Sequence, residues 1–593
     1  MKYRSIDDIL DDIVTFLIEW QARIGMRDGI QLNATIYHPA PAGTAKPALI
    51  SMTPYSGDTY HEQASYFARR GFVFVLVDVR GRGSSGGEFE PFANEARDGH
   101  DIVNWVATQP WCDGNVGMWG GSYAGMAQWF TASTSPANLR TIAPAGPSIM
   151  GEDVPFRRGI YLSYWIQWLT LTSGKTTQWQ AFRDSAYWFE IFKRGYLEHR
   201  AFGELDRLAR NTQTVWQTWI AHPFLDDYWQ SINPDREDYA RITIPVLSIS
   251  GLYDGALHST LEYYRRHLAG AGADRHYLVI GPWDHAGTRL PAPALGGLSF
   301  GPLALLNVNA LHAAWYDWTF GNGDKPSFLK DQVVYYVTGL EEWRSAPTVD
   351  AVTTSRSKLF LHSRNGQAHD VFASGELTPH DALSSKPATY TYDPLDTRPA
   401  EFLQPQDLVS PITLFDQTAA LNLFGNGLVY HSEPLETDVV LGGAPIVHLW
   451  ISIDVPDTDI RVALYQIMPD GSSLVLGEDK MRTRYRISPR HAKFPTPGKP
   501  YEYVFDGMPF NSRLVVRHSR FRVVVTCPNS MFEQKNYNSG GDVLWETAKD
   551  ARTAHVSVHH GTPHSSYVDL ALGNLGAATQ LNTTDLAGWF SLG

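Results

Sequence analysis

Cysteine is nearly absent. The 593 residues contain only Cys112 and Cys527, far apart and with no metal-ligand spacing around either, so neither a disulfide framework nor a zinc site is expected. Long apolar runs are missing too. No stretch approaches the length of a membrane span. The N-terminal apolar segment Ile13–Leu17 is too short for a signal-peptide core, and acids interrupt what precedes it. A soluble cytoplasmic protein with no membrane partner is the expectation. Positive charge is in deficit: 49 Lys and Arg against 62 Asp and Glu leave a formal −13, which argues against a nucleic-acid partner. Neither an internal repeat nor a low-complexity tract is present.

Aromatic residues, by contrast, are plentiful. Nineteen tryptophans in an aromatic share of 12% point to large buried aromatic clusters or an aromatic-lined pocket. The length exceeds what one core supports, and roughly two to four domains are expected.

The first part of the chain alternates strand and helix. "QLNATIYHP" (31–39) reads as an early antiparallel strand. "PALISMTPY" and "GFVFVLVDVRG" are near-continuous apolar runs, the mark of strands buried on both faces. Residues 61–70 and 95–109 have helical spacing, and "NVGMWG" (115–120) reads as the next strand. Such alternation implies crossover units and a mostly parallel sheet. Between about Pro147 and Ala240 the sequence turns helical and crowded with tryptophan; strands resume with "IPVLSISG" and "DRHYLVIGPW", with a helix between them. A helical insertion lying over the carboxyl ends of the strands is inferred. From about Val333 short alternating strands bounded by Gly, Pro, Asn and Asp predict an all-β jelly roll. The expected division is therefore an α/β-hydrolase core over 1–146 and 241–332, a helical cap over 147–240, and a jelly-roll β-sandwich over 333–593. The N-terminal "IDDILDDIVTFLIEW" (6–20) reads as an amphipathic helix that docks on its own chain or pairs two subunits in a homodimer.

The chemistry is carried by "VGMWGGSYAGMAQWF", which sets Ser122 among small residues between a strand and a helix. A serine hydroxyl becomes a nucleophile when a base takes its proton and a carboxylate orients the base. In α/β-hydrolases the nucleophile sits on a sharp strand-to-helix turn, with the partners later in the order Asp, His. Gly120, Gly121, Ala124 and Gly125 provide the small neighbours, although Ala124 stands where G-x-S-x-G has its second glycine. Asp254 follows one later strand and His285 another. Each has an ordinary reading, a turn aspartate or a surface histidine; three residues in the required order at three strand ends are hard to produce by accident. An oxyanion also needs donors. The N–H of Tyr123 is one, and Tyr55 is the candidate for the second, although on spacing alone a core or turn tyrosine is the simpler reading.

The ordered set "MRDGIQLNATIYHP", "TPYSGD", "DVRGRGSSGGEFEPF", "DGHDIVNWVATQPWCDGNVGMWGGSYAG", "HPFLDDYW", "GLYDG", "GPWDH", "PLETDVVLGGAPIVHLWISIDVPDTDI" and "RTRYR" resembles the cocaine-esterase-like (CocE/NonD) hydrolases of the X-prolyl dipeptidyl-peptidase superfamily over nearly the whole chain. The resemblance implies Ser122 as nucleophile, His285 as general base then acid, Asp254 as the orienting carboxylate, and the Tyr55 hydroxyl with the Tyr123 N–H as oxyanion hole. G-x-S-Y-x-G is that family's own form of the motif. It also implies a serine hydrolase cleaving small carboxylic esters or amides through an acyl-enzyme, with no metal or organic cofactor.

An α-amino substrate, as for amino-acid ester hydrolases, is disfavoured because Gly255, Ala256 and Leu257 follow Asp254 where that group carries acids; a cap residue such as Asp184 is the alternative source of charge. An X-prolyl dipeptidyl-peptidase is disfavoured because about two dozen residues precede the opening strand, too few for a further domain. A carbohydrate-binding scaffold is the non-enzymatic alternative, against which an intact triad counts. Trp165, Trp168 and Trp283 are the tryptophans expected to line the pocket.

Overall fold

The apolar runs that lack alternation become the central strands of one sheet. In the computed structural model, which describes residues 15–40, 43–381, 385–403, 413–576 and 579–590, ten strands build it. They are β1 (Phe16–Gly25), β2 (Gln31–Pro39), β3 (Lys46–Thr53), β4 (Val73–Asp78), β5 (Cys112–Gly121), β6 (Leu139–Ala145), β7 (Val246–Gly251), β8 (His276–Gly281), β9 (Val333–Val337) and β10 (Glu342–Ala346). Their order is β1-β2-β4-β3-β5-β6-β7-β8-β9-β10. From β4 to β9 all neighbours are parallel; β1 and β2 run antiparallel at one edge and β10 at the other. Every residue of β4 and β7 is buried, the environment that runs such as Val73–Val77 require.

Two expectations are corrected here. The amphipathic helix over 6–20 does not extend through Phe16–Trp20, which begin β1 and pair with β2 from Phe16 opposite Pro39 onward; residues 1–14 lie outside the described residues. The open hydrogen-bonding edge of β2 recruits this segment, and a bulge between Glu19 and Ala22, with Gln21 at φ 58°, carries the strand past Trp20. The core sheet also does not end at 332. Val333 aligns with Leu278 of β8, so the chain completes β9 and β10 before the all-β part opens with the strand Ser355–His362. The change of periodicity near Val333 marks where the helical signal ends but carries no information on which sheet the strands after it join. The C-terminal tail likewise returns to the core, where Leu581, Trp589 and Phe590 pack with Trp343 and Phe328.

Between β6 and β7 the chain forms a cap of mostly short helices, among them Tyr164–Leu171, Ser185–Leu197 and Thr214–Ile220. Trp188, Trp216, Trp219 and Trp229 are buried within it. Among the described residues, thirteen strands between Ser355 and Leu572 form a largely antiparallel C-terminal sheet. Cap and C-terminal domain share an apolar cluster in which Met531, Phe532 and Leu544 join Trp188, Phe192 and Trp216. The Gly203 N–H donates to the Leu544 carbonyl at 2.9 Å across this seam.

Candidate active site

The sheet brings Ser122, Asp254 and His285 to the carboxyl ends of β5, β7 and β8. Ser122 sits between the last residue of β5 and the helix Tyr123–Ser133, at φ 58° and ψ −122°, a strained conformation for a residue with a Cβ. Its N–H donates to the Ala145 carbonyl at 2.8 Å, tying the turn to β6. The small neighbours have physical reasons. A Cβ on Gly120, at φ 136°, would come within 2.6 Å of the Ala124 Cβ, and one on Gly125 within 3.1 Å of the Ala145 carbonyl.

His285 Nδ1 donates to Asp254 Oδ1 at 2.9 Å, which leaves Nε2 as the basic nitrogen. Asp254 also accepts the Ser250 hydroxyl at 3.1 Å and the Ala256 N–H at 2.9 Å. Burial alone would raise this carboxyl, but the charge and hydrogen bond of His285, the Ala256 N–H and the charge of Arg289 outweigh it and hold it below the usual carboxylate range. Gly146, at φ 51°, lies against the pair: a Cβ there would stand 2.7 Å from Asp254 Oδ2 and 3.3 Å from the His285 ring.

Tyr55 lies just beyond β3, 8% exposed. Trp168 from the cap donates its indole N–H to the Tyr55 hydroxyl at 3.0 Å. Because an indole can only donate, it fixes the phenol oxygen as acceptor and leaves the phenol proton free to point elsewhere. Burial raises the Tyr55 phenol strongly, against the lowering effects of Trp168, Arg289 and Ser122, so it stays a donor. The Tyr123 side chain points away into the core, where its hydroxyl donates to buried Glu95 and its ring stacks on Phe92 with centroids 4.2 Å apart. That anchor fixes the residue whose N–H follows the serine.

A cavity of about 600 Å³ joins these groups. Ser122, His285, Trp165 and Trp168 of the core and cap line it together with Arg461, Tyr465 and Phe532 of the C-terminal domain. Two of the expected pocket tryptophans are thus in the wall. Trp283 is not: its indole donates to the Ala304 carbonyl at 2.8 Å and packs against Trp343 with centroids 5.9 Å apart. Its own carbonyl accepts the Tyr253 N–H at 3.0 Å, coupling the Asp254 and His285 loops from behind. Adjacency to His285 in sequence placed it near the site, but the strand end turns its ring inward. Asp184 is likewise absent from the cavity lining and caps the helix Ser185–Leu197 through the Tyr187 N–H at 3.0 Å.

The sequence reading missed Asp153 and Arg82. Asp153 lines the cavity and accepts the Ile149 N–H at 2.7 Å and the Ser259 hydroxyl. Burial pushes its carboxyl up to about 7, opposed by those two hydrogen bonds. Arg82, wholly buried, donates to the Pro54 carbonyl at 2.9 Å and the Thr172 carbonyl at 2.6 Å. It therefore clamps the Tyr55 loop to the cap. Its signal was an arginine inside "RGRGSSGG", directly after a buried strand.

Residues 28–287 match the family described as X-Pro dipeptidyl-peptidase (S15 family), and residues 327–576 match the X-Pro dipeptidyl-peptidase C-terminal non-catalytic domain. Cocaine esterase of Rhodococcus sp. (strain MB1 Bresler) is 27% identical over 580 residues, spanning 93% of this chain and 97% of that protein. The chain belongs to the S15 family, in its cocaine-esterase-like (CocE/NonD) group. It is a serine hydrolase. The fold of this S15 hydrolase is that of an α-amino acid ester hydrolase structure, with a TM-score of 0.78 at 22% identity, covering 95% of this chain and 97% of that one. A CocE/NonD family hydrolase from Staphylococcus aureus superposes with a TM-score of 0.66 at 16% identity over 94% of each chain.

Proposed function

We propose that this S15 hydrolase cleaves carboxylic esters by two-step acyl transfer through Ser122. His285 Nε2 takes the serine proton as Oγ bonds to the carbonyl carbon. The resulting oxyanion rests against the Tyr55 hydroxyl and the Tyr123 N–H. The tetrahedral species collapses, its C–O bond to the leaving alcohol breaks, and His285 returns the proton to that alcohol. Water then attacks the acyl-enzyme with His285 again as base, and the carboxylic acid leaves. The observation that carries this reading is the His285–Asp254 hydrogen bond in the same cavity wall as Ser122 and a Tyr55 hydroxyl oriented by Trp168. The aromatic wall of Trp165 and Trp168 suits a bulky apolar acyl or alcohol group.

A second reading concerns the substrate. Asp153 is a carboxyl group in the cavity and a suitable partner for a free ammonium group, as an α-amino ester would bring, despite the lack of acids after Asp254. Since its carboxyl is raised to about 7, it is ionised above that pH, while an α-amino ester loses its ammonium proton in the same range; KM for such a substrate is expected to be lowest near pH 7 and to rise on either side.

Intact-mass analysis after fluorophosphonate treatment tests the first reading. Wild type is expected to take up one label and Ser122→Ala none; a folded wild type that takes up no label refutes the assignment. A panel pairing free α-amino esters with their N-acetyl counterparts tests the second. Preference for the amines that disappears in Asp153→Asn supports it, and equal rates refute it.

A further inference from the structure

We infer that Arg289 is an electrostatic positioning residue for this hydrolysis: its guanidinium, lying against the backbone of Gly121 just before Ser122, stabilises the negative charge that develops on the reacting carbonyl oxygen. The inference rests on the acyl-transfer reading above and adds to it a group outside the triad and the oxyanion donors.

The turn that begins at His285 returns Arg289 toward the nucleophile. The Thr288 hydroxyl donates to the His285 carbonyl at 2.8 Å, and the Arg289 N–H donates to the Ala286 carbonyl at 3.1 Å. The Arg289 side chain then runs alongside the Ser122 turn. A Cβ on Gly121 would overlap its Nη1 and lie 2.9 Å from its Cδ, so Gly121 is the residue that admits it. Nη1 is buried and has no hydrogen-bond partner among the described residues. Leaving a guanidinium proton unpaired and out of water is unfavourable, and arginine cannot escape by losing its charge. Hydrogen bonding at Nη1 therefore does not explain its place.

The charge does have a destination. It reaches the Asp254 carboxyl and the Tyr55 and Tyr60 phenols, and at each favours the anionic form. Asp254 is already engaged by His285, Ser250 and Ala256. Both phenols keep their protons, because burial raises them. The negative charge that forms between Ser122 and Tyr55 during the reaction arises within reach of the same field. A field that meets a neutral ester in the ground state and an oxyanion in the transition state raises kcat without tightening substrate binding.

The test compares R289Q, R289M and R289K in the full chain with p-nitrophenyl butyrate as substrate and phenylboronic acid as inhibitor, since boronic acids form an anionic tetrahedral adduct on an active serine. The neutral variants are expected to lose about tenfold in kcat with KM nearly unchanged, less than the loss of a donor that touches the oxyanion, and to bind phenylboronic acid weaker by a similar factor. R289K is expected to recover most of both. Stoichiometric fluorophosphonate labelling of Ser122 in every variant reports an intact nucleophile. Wild-type kcat and boronate affinity in R289Q and R289M overturn the inference alone. Equal impairment of R289K and R289Q also overturns it, because shape rather than charge would then matter. An unlabelled wild type overturns the acyl-transfer reading and this inference together.

Discussion

The indole of Trp168 decides what the Tyr55 hydroxyl can do. With its oxygen occupied by the Trp168 N–H at 3.0 Å, Tyr55 has one remaining proton and one direction in which to offer it. Tyr55→Phe is expected to lower kcat about a hundredfold, the usual cost of one oxyanion donor. Trp168→Phe keeps the donor but frees its torsion, and about tenfold is expected. Because both substitutions act on one hydrogen bond, the double variant should be no slower than Tyr55→Phe alone, the non-additivity of coupled neighbours. Steady-state kinetics on a p-nitrophenyl ester checks all three, and multiplied effects would separate the residues. Neither contact was visible in sequence. Trp168 could be proposed as a pocket residue because it opens the insertion, but a partner 113 positions away leaves no local pattern. Trp283, equally expected in the pocket because it stands beside His285 in sequence, lies behind the site.

Local elements supply the support under the nucleophile. Glu95 opens the helix Glu95–Ala107 and is 3% exposed beneath Tyr123. Burial pushes its carboxyl up to about 7, against the hydrogen bonds from Tyr123 and Asn94. A carboxyl raised on folding holds its proton in the native state while the unfolded chain has lost it. Native stability therefore declines on its account as pH rises from about 4.5 toward 7, by about 3 kcal/mol at 1.4 kcal/mol per unit. Glu95→Gln removes this dependence. Thermal unfolding at pH 5 and pH 8 is expected to show a smaller fall in Tm for the variant; parallel falls would place the titration elsewhere. At this scale the sequence was most informative. The runs Val73–Val77 and Val246–Ile249, with the glycines around Ser122, specify strand, turn and helix locally, because burial on both faces and a positive φ each admit few residue types. The failures came where a segment has two acceptable partners, as with Phe16–Trp20 and Val333–Val337, whose pairing is settled by edges elsewhere in the fold.

At the scale of the whole molecule, core, cap and C-terminal domain share buried apolar clusters as well as polar contacts such as Tyr196 to Asn529. Phe532 and Leu544 sit in the same buried cluster as Trp188, Trp216, Ile142 and Val246. A buried apolar cluster of this kind couples the units, whereas domains that meet at small polar interfaces unfold separately. Calorimetry is expected to give one cooperative transition, and two resolved transitions would show that the C-terminal domain holds its own stability. Changes of periodicity suggest three units, but their shared cavity was not legible, since its walls come from segments hundreds of positions apart. That construction bears on how such proteins diverge. The turn that carries Ser122 is hemmed in by glycines, a carbonyl and an arginine, and tolerates little drift. The part of the wall formed by Arg461 and Tyr465 belongs to another sheet with its own core. Descendants can therefore acquire new clientele by altering one remote surface, while the inherited machinery stays as it was.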